Sequence, residues 1–452
     1  MKRCIILFVF CSLLQGLQRV HADNLSLSPL FSDGAVLQQK SLVPIFGNTQ
    51  PGNTVLVSGS WDGKRVAVRA DSTGRFVAYL KTPPAGGPYT LHVNDRVIED
   101  VLIGEVWLCS GQSNMQFRLS ESDMREVAHE TNDNIRVFTV PVRSAETPQR
   151  DLDAGYWIHG NTDTTKMKIS AVGYYFARRL QRELGVPVGM ISSARGATGA
   201  EEWMSRQTFE SIPEEEQALY KPTREKWVAC WYNAMIYPLL PYAIRGAIWY
   251  QGENNSSRPK SYRTLMKGLV SQWRDEFENP RMPFYIVQLT SFKKNWAGFR
   301  EIQQQIADEI PHCGFVPTID VGNEKNIHPK NKFPVGERLA ELALANDYRI
   351  KECRKEAPRF RSMKVKGDTA VIAFENAEEG LILKQGDSPL YFEICGADGK
   401  FFPAEARLQD NKVYLVSDAV PEPAGARYFW RGYGEPNLFS ADGWPVAPFR
   451  TE

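Results

Sequence analysis

The sequence predicts an α/β protein whose central parallel sheet lies between two layers of helices, with a β-rich region on either side. In residues 104–350, strand-like apolar runs alternate with amphipathic helical stretches, which is typical of right-handed βαβ units. Residues 24–103 carry short strand-like pieces separated by turn sequences such as QPGN, DSTG and PPAGGP, the spacing of a small antiparallel sandwich. Residues 353–452 show similar short strands joined by Gly- and Asp-rich turns.

The elements of the central region can be read in chain order. Strands are predicted over EVWLCS, IRVFTV, VPVGMIS, IRGAIWY, FYIVQLT and GFVPTID. Helices are predicted over SAVGYYFARRLQRELG, YRTLMKGLVSQWRDEF, FREIQQQIADEI and VGERLAELALAND. The first of these helices has one apolar face, made of Val172, Phe176, Leu180 and Leu184.

The first 22 residues have the pattern of a secretory signal peptide. Lys2 and Arg3 precede an apolar stretch that ends at small residues around Ala22. Gln15 and later polar residues interrupt the apolar run too early for it to span a bilayer. We therefore expect an exported protein without a membrane anchor, either periplasmic or extracellular.

Charge and cysteine content exclude several classes of partner. Without residues 1–22 the formal charge changes from +1 to −2, and a near-neutral chain without a basic tract does not fit nucleic acid or anionic membranes. The remaining cysteines are scattered, odd in number and never in a CxxC pair, so neither a zinc site nor a disulfide framework is expected. Nothing in the pattern indicates an obligatory protein partner. These cysteines are Cys109, Cys230, Cys313, Cys353 and Cys395.

Unusual polar sequences follow the predicted strands at one edge of the sheet. Ligands of parallel sheets bind beyond the carboxyl ends of the strands, and no GxGxxG or GxxxxGK[ST] motif indicates a phosphate site there. Serine in this position is typical of a nucleophile, which needs a neighbouring base. Ser113 is therefore the candidate nucleophile. The sequences after the strands are GQSN, SSARGATGAEEW, YQGENN and DVGNEKNIHPKN.

His328 is the candidate base because it alone among the histidines after residue 22 lies beyond the carboxyl end of a predicted strand. His92 lies in a predicted sandwich strand, and His312 lies at the amino edge of the sheet. His129 and His159 are expected at the surface.

A nucleophilic serine also needs donors for the oxyanion of the tetrahedral intermediate. The Ser113 amide can be one, and the backbone N–H of Gly196 a second, since glycine allows close approach. A side-chain amide of Asn254, or of Gln251, can be the third. Glycine and asparagine also simply suit turns, but three such loops beside one serine favour a site.

The segments GQSNMQF, GATGAEEW, YQGENN and IHPKNKFPVGERLA together resemble the SGNH-hydrolase superfamily, and within it sialate O-acetylesterases and related carbohydrate acetylesterases. The similarity covers nearly the whole chain. It implies a flavodoxin-like three-layer α/β/α core, with Ser113 as nucleophile and His328 as base. It also implies Gly196 and Asn254 (or Gln251) as oxyanion donors, and no metal or cofactor.

The sequence departs from this superfamily in one place. SGNH enzymes often have an aspartate three residues before the histidine, and Lys325 occupies that position here. Asp320, expected at the end of the preceding strand, is the candidate third member, although a strand-terminal cap explains it equally well. A Ser–His dyad oriented by a backbone or amide group, such as one from Asn326, is the other possibility.

The implied substrate is O-acetylated sialic acid or another acetylated sugar. Trp203, Trp249 and Tyr250 lie in or beside the active loops and either stack on a sugar ring or belong to the core. Two alternatives stay open: an esterase acting on acetylated xylan or another polysaccharide, and a non-catalytic carbohydrate-binding protein.

Arg195, next to Gly196, is the candidate partner of a sialate carboxylate, because guanidinium–carboxylate recognition is bidentate. The alternative is a structural ion pair between Arg195 and Glu201 or Glu202.

Overall fold

The computed structural model describes residues 24–123, 131–160 and 168–451. The predicted signal peptide and His129 lie outside these ranges. Across the three ranges, no helix has both the length and the apolar character needed to cross a membrane.

The N-terminal region consists of short strands in antiparallel pairs. Strands β1, β3 and β6 form one sheet, and β4 pairs with β5 and β7 in another. In β4 and β6 alternate residues are buried, as expected where one face of a strand packs on a core. The strands are β1 (Ser26–Leu27), β2 (Val36–Gln38), β3 (Leu42–Asn48), β4 (Thr54–Gly59), β5 (Arg65–Arg69), β6 (Arg75–Lys81) and β7 (Gly86–Val93).

A single long strand, β8 (Arg96–Gly111), connects this region to the central sheet. Its first half pairs antiparallel with β7 and parallel with β2. Its second half is a central strand of the parallel sheet, so both parts belong to one 11-stranded sheet. The predicted boundary between residues 103 and 104 therefore falls inside a continuous strand.

The central region alternates strands and helices as predicted. Its strands are β9 (Ile135–Thr139), β10 (Trp157–His159), β11 (Val188–Ala194), β12 (Gly246–Tyr250), β13 (Phe284–Val287) and β14 (Cys313–Val316). Its helices are α1 (Ser113–Gln116), α2 (Ala171–Leu184), α3 (Arg206–Glu210), α4 (Glu214–Gln217), α5 (Pro259–Glu276), α6 (Ala297–Glu309) and α7 (Phe333–Asn346). Short 3-10 or π turns cover Leu119–Glu121, Ala200–Trp203, Tyr232–Ile236 and Tyr237–Leu239.

The strand order of the central sheet is β10-β9-β11-β8-β12-β13-β14, and only β10 runs antiparallel. When β8, β11, β12, β13 and β14 are numbered 1 to 5 in chain order, these five adjacent strands have the order 2-1-3-4-5, and β9 is added in parallel beside β11. This order places a topological switch point beside β8, where ligands of such sheets bind. Ser113 follows directly after this strand.

Alternate residues of the strands point into two hydrophobic cores. Trp107 and Cys109 lie in a core with residues of α2 and α7, whereas Val106 and Leu108 lie in a core with residues of α5 and α6. Helices therefore cover both faces of the sheet, and the α/β class predicted from the alternation is confirmed. Such two-sided burial explains why the strands are apolar at successive positions.

Helix α2 has the boundaries that its sequence predicts. The Ser170 hydroxyl accepts a hydrogen bond from Gly173 N at 3.1 Å, and Gly185 ends the helix in the left-handed conformation at φ 64°. Of the predicted apolar face, Leu184 is only half-buried. The other three residues, Val172, Phe176 and Leu180, are fully buried.

The C-terminal region is antiparallel throughout its paired strands. It contains a sheet β15-β16-β21-β20, a sheet β19-β18-β22-β24 and a pair β17-β23. The strands are β15 (Arg359–Lys366), β16 (Thr369–Glu375), β17 (Leu381–Leu383), β18 (Phe392–Cys395), β19 (Phe401–Pro403), β20 (Glu405–Gln409), β21 (Lys412–Val416), β22 (Gly425–Tyr428), β23 (Leu438–Ser440) and β24 (Phe449–Arg450).

We predict that Gly111→Ala destabilises the protein. Gly111 has φ 134°, and a Cβ there would lie 2.3 Å from the carbonyl oxygen of Tyr250, so the substitution adds both backbone strain and a clash. We expect a loss of at least about 2 kcal/mol in the free energy of unfolding, measured by denaturant titration. The control is Gly298→Ala, in α6, where a Cβ meets no atom within 4 Å and stability should stay equal or rise. Equal stabilities of the two variants would contradict this prediction.

Candidate active site

The turn after β8 presents Ser113 at the carboxyl edge of the sheet. Gln112 N donates to the Tyr250 carbonyl at 2.9 Å, and the Gln112 carbonyl accepts from Met115 N and Gln116 N. Ser113 is therefore the first residue of the four-residue helix α1. Its N–H has no acceptor within the helix, because the first N–H groups of a helix point outward from its end. Among the described residues the Ser113 N–H has no hydrogen-bond acceptor, so it can meet a developing negative charge.

His328 lies within hydrogen-bonding distance of Ser113. Its Nε2 is 2.8 Å from the Ser113 Oγ, and both residues are partly buried. The loop after β14 carries His328 to this position, and the Asn326 side chain accepts the backbone N–H of His328 at 2.9 Å. The structure thus brings together the two residues that the sequence selected as nucleophile and base.

The surroundings of His328 favour the neutral imidazole. Burial lowers the pKa of His328 below its ordinary value of 6.5, and the charge of Lys332 lowers it further, whereas Glu121 acts in the opposite direction. A neutral imidazole can accept a proton from a serine hydroxyl. The site is therefore arranged for general-base chemistry.

The other described histidines lie elsewhere. His92 is in β7, with its Nε2 3.0 Å from the Thr90 hydroxyl. His159, expected at the surface, is half-buried at the end of strand β10, and its Nε2 is 3.7 Å from an oxygen of Asp100. His312 precedes β14 at the amino edge.

Asp320 does not orient His328, which corrects the expectation for a third member. Strand β14 ends at Val316, four residues earlier than Asp320. The two Asp320 oxygens accept from Arg338 at 2.8 and 2.6 Å, and this ion pair is mostly buried. In the described part of the chain, Nδ1 of His328 has no hydrogen-bond partner.

The predicted oxyanion donor Gly196 lies beside the nucleophile. A Cβ built on Gly196 would be 3.3 Å from the Ser113 Cβ, so glycine is needed for this approach to stay unhindered. Its N–H donates to the Gln116 side-chain oxygen at 2.9 Å. The oxygen of Gln116, which sequence reasoning did not single out, thus occupies the acceptor position at the Gly196 N–H that a substrate oxyanion could take over.

The two candidate side-chain amides differ in their environment. Gln251 is fully buried, and its NH₂ group donates to the Thr198 carbonyl at 2.9 Å and the Asn255 Oδ1 at 2.7 Å. Gln251 is therefore a structural residue, and the expectation that it donates to an oxyanion is wrong. Asn254 is exposed, and its Nδ2 lies 3.3 Å from the Cβ position of Gly199.

The predicted sugar-stacking aromatic residues belong to the core. Trp203, Trp249 and Tyr250 have no exposed surface. The Trp203 indole N–H donates to the Thr198 hydroxyl at 2.9 Å, and the rings of Trp203 and Trp249 pack edge to face. The expectation that Trp203 and Tyr250 contact substrate is therefore wrong.

Arg195 is exposed, and its guanidinium carbon lies 5.7 Å from the centre of the Trp231 ring. Glu201 is paired with Arg258 at 2.6 Å. Glu202 accepts from the Trp231 indole N–H at 2.9 Å, and burial raises the pKa of Glu202 to about 7. Within the ranges that the structure describes, there is no ion pair between Arg195 and either glutamate.

The sequence did not predict a polar cluster that forms around Asn114, the residue after Ser113. The Asn114 side chain contacts Glu253 and Lys332, which come from the loop after β12 and from the start of α7. All three residues lie within the quoted motifs, but their pairing depends on how the loops meet. We refer to Asn114, Glu253 and Lys332 as the Asn114 cluster.

Comparison with known proteins identifies relatives over most of the chain. Residues 103–345 match the family described as "Carbohydrate esterase, sialic acid-specific acetylesterase". The crystal structure of a carbohydrate acetylesterase from Xanthomonas citri is similar with a TM-score of 0.87 and 36% identity, covering 95% of this chain and 99% of that chain. Sialate O-acetylesterase of Homo sapiens is 28% identical over 438 residues, covering 85% of this chain and 83% of the human protein. The Rattus norvegicus protein of the same name is 26% identical over 447 residues, covering 81% of each chain.

We predict that the imidazole of His328 titrates below its ordinary value of 6.5, because burial and Lys332 both disfavour its charged form. The measurement is an NMR titration of the histidine ring protons. His328→Asn serves as the control that assigns the resonance. A His328 midpoint above 6.5 would contradict the electrostatic description of the site.

Proposed function

Because the chain belongs to the carbohydrate esterase family of sialic acid-specific acetylesterases, we propose that it removes O-acetyl groups from sialic acids by a Ser–His acyl-enzyme mechanism. The observation that carries the mechanism is the 2.8 Å contact between the Ser113 Oγ and the His328 Nε2. We also assign the central region to the SGNH-hydrolase three-layer fold, which is supported by the strand order 2-1-3-4-5 with helices on both faces.

In the first step the Ser113 oxygen attacks the acetyl carbonyl while His328 accepts the hydroxyl proton. The Ser113 N–H points outward from the start of α1 and stabilises the oxyanion that forms. The Asn254 side chain supplies a second donor. The Gly196 N–H supplies a third once the oxyanion displaces the Gln116 oxygen.

The intermediate then collapses, and the bond between the acetyl carbon and the sugar oxygen breaks. His328 gives its proton to the departing sugar oxygen, which leaves an acetyl group on Ser113. A water molecule attacks this acetyl-enzyme with His328 again as the base. Acetate leaves and the Ser113 hydroxyl is restored.

The mechanism operates as a dyad in this chain. Asp320 is held by Arg338, so no carboxylate from the expected position stabilises the imidazolium. An orienting carboxylate increases the rate but is not required for the chemistry. The backbone of the His328 loop is held by Asn326 and Asn114 instead.

Recognition of the sugar is assigned to the rim of the site. Arg195 is exposed beside Gly196 with one side against Trp231, so its guanidinium edge remains available for a bidentate contact with the sialate carboxylate. A second candidate substrate is an uncharged acetylated polysaccharide such as xylan. The 36% identical protein is a carbohydrate acetylesterase, an activity that does not require a charged sugar.

We predict that Ser113→Ala lowers kcat for a chromogenic acetate ester and for O-acetylated sialic acid by about 10³-fold or more. The substitution removes the nucleophile while the fold stays intact. The measurement is steady-state kinetics, with thermal unfolding to show that the variant is folded. Ser257→Ala, at an exposed serine of the loop after β12, is the matched control and should keep wild-type rates. Full activity of Ser113→Ala would refute the site assignment.

We predict that Arg195→Ala raises KM for O-acetylated sialic acid by about tenfold, the cost of one lost charge-assisted contact. Acetate release from acetylated xylan should change less than about twofold, since a neutral sugar offers no carboxylate. Arg224→Ala, at another exposed arginine, is the control for general loss of positive charge. Equal losses on both substrates would show that Arg195 has no role in carboxylate recognition.

A further inference from the structure

The Asn114 cluster ties the nucleophile turn to the histidine loop. The Asn114 Nδ2 donates to the Glu253 Oε1 at 2.6 Å and to the Ile327 carbonyl at 3.1 Å. The Asn114 Oδ1 accepts from the Lys332 Nζ at 2.5 Å. The side chain next to the nucleophile therefore contacts the residue immediately before His328.

The cluster is built at a considerable desolvation cost. Asn114 is 0% exposed and Lys332 is 1% exposed, and charged groups are rarely buried to this extent unless they are paired. The Lys332 ammonium also lies 4.8 Å from the centre of the Phe117 ring and 5.4 Å from that of Tyr250, at the distance of cation–π contacts. These contacts fix the position of the Lys332 ammonium relative to the site.

Burial acts on both charged members of the cluster. It lowers the pKa of Lys332 to about 7, while the charge of Glu253 acts to raise it. Burial also raises the pKa of Glu253, against the effects of its Asn114 hydrogen bond and of Lys332. Below pH 6.5, the side toward which the pKa of His328 is shifted, Lys332 is therefore mostly protonated.

We propose that the Asn114 cluster is a positioning unit for His328: Asn114 sets the distance between the imidazole and Ser113, and the Lys332 ammonium, hydrogen-bonded to Asn114, places a positive charge in the same unit. This inference deepens the proposed function and rests on it. By holding the backbone beside His328, the cluster takes over the orienting task that a carboxylate has in a Ser–His–Asp triad.

The effect of Lys332 on the pKa of His328 has the direction that this assignment requires. Lys332, at the start of α7, disfavours the imidazolium, and Glu121, in the 3-10 turn after α1, favours it. Ser113 faces the imidazole from α1 as a neutral group, and Glu253 from the loop after β12 acts through Lys332. Removal of the Lys332 charge leaves Glu121 as the nearby charge acting on the imidazole, so the pKa of His328 should rise.

Two lysine-to-methionine variants test the effect of the Lys332 charge on the pKa of His328. Lys332→Met removes the buried charge, and Lys330→Met removes an exposed charge from the same loop. We expect Lys332→Met to move the NMR midpoint of His328, and the acid side of the kcat/KM profile, to higher pH by about 0.5 or more. Lys330→Met should move neither. An unchanged His328 midpoint in Lys332→Met would overturn the role of Lys332.

Asn114→Ala tests the geometric part. We expect kcat for a chromogenic acetate ester to fall about 10- to 100-fold while KM changes less than about threefold, because a displaced base slows the chemistry without weakening binding. A crystal structure of the variant should show a longer distance between the Ser113 Oγ and the His328 Nε2. A kcat within twofold of wild type, or a rise in KM equal to the fall in kcat, would overturn the role of Asn114.

These readouts separate the positioning role from the proposed function. If the wild-type protein shows no Ser113-dependent ester hydrolysis, the proposed function fails, but the His328 titration and the crystallographic distance still decide whether the cluster positions the imidazole. If Asn114→Ala does not fold, the nearly isosteric Asn114→Asp, which removes the donor to the Ile327 carbonyl but keeps an acceptor for Lys332, takes its place with the same readouts. Lys332→Met and the control Lys330→Met decide the electrostatic part by the titration.

Discussion

The site depends on one hydrogen bond between residues that are 215 positions apart in the chain, the contact of the Ser113 hydroxyl with the His328 imidazole. Neither loop could hold this geometry alone. The Ser113 turn is fixed by β8 and by the Tyr250 carbonyl, and the His328 loop is fixed by hydrogen bonds from side chains of both loops. The parallel sheet makes the contact possible, because it brings the ends of distant strands to a common edge.

Much of the fold, and the proximity of Ser113 to His328, could be predicted because they follow from local patterns. Alternation of apolar strands with amphipathic helices determines the order of elements, and the start and end of α2 are given by Ser170 and Gly185. Ser113 and His328 were found because each follows a strand at the same edge of the sheet. Only the strand order and the direction of the chain are needed to predict that these two residues lie close together.

Other parts of the site could not be predicted, because they depend on which side of a loop faces the substrate. Gln251 lies in a motif whose side-chain amides could donate to an oxyanion, but its NH₂ group donates to Thr198 and Asn255 instead. The Asp320 carboxylate forms an ion pair with Arg338, which lies in the following helix, α7. Trp203 is buried in the core although it lies in the same segment after β11 as Gly196. For Gln251 and Asp320 a deciding partner, Thr198 or Arg338, comes from a different element, and no local pattern contains it.

The long strand β8 also limits how this chain can be divided or recombined. Since its first half pairs with N-terminal strands and its second half with the central sheet, a cut near residue 104 would expose unpaired sheet edges on both fragments. The N-terminal β region is consequently a cooperative part of the same folding unit as the serine turn. Shuffling it between homologues as an independent module would disturb the very strand that ends at the nucleophile.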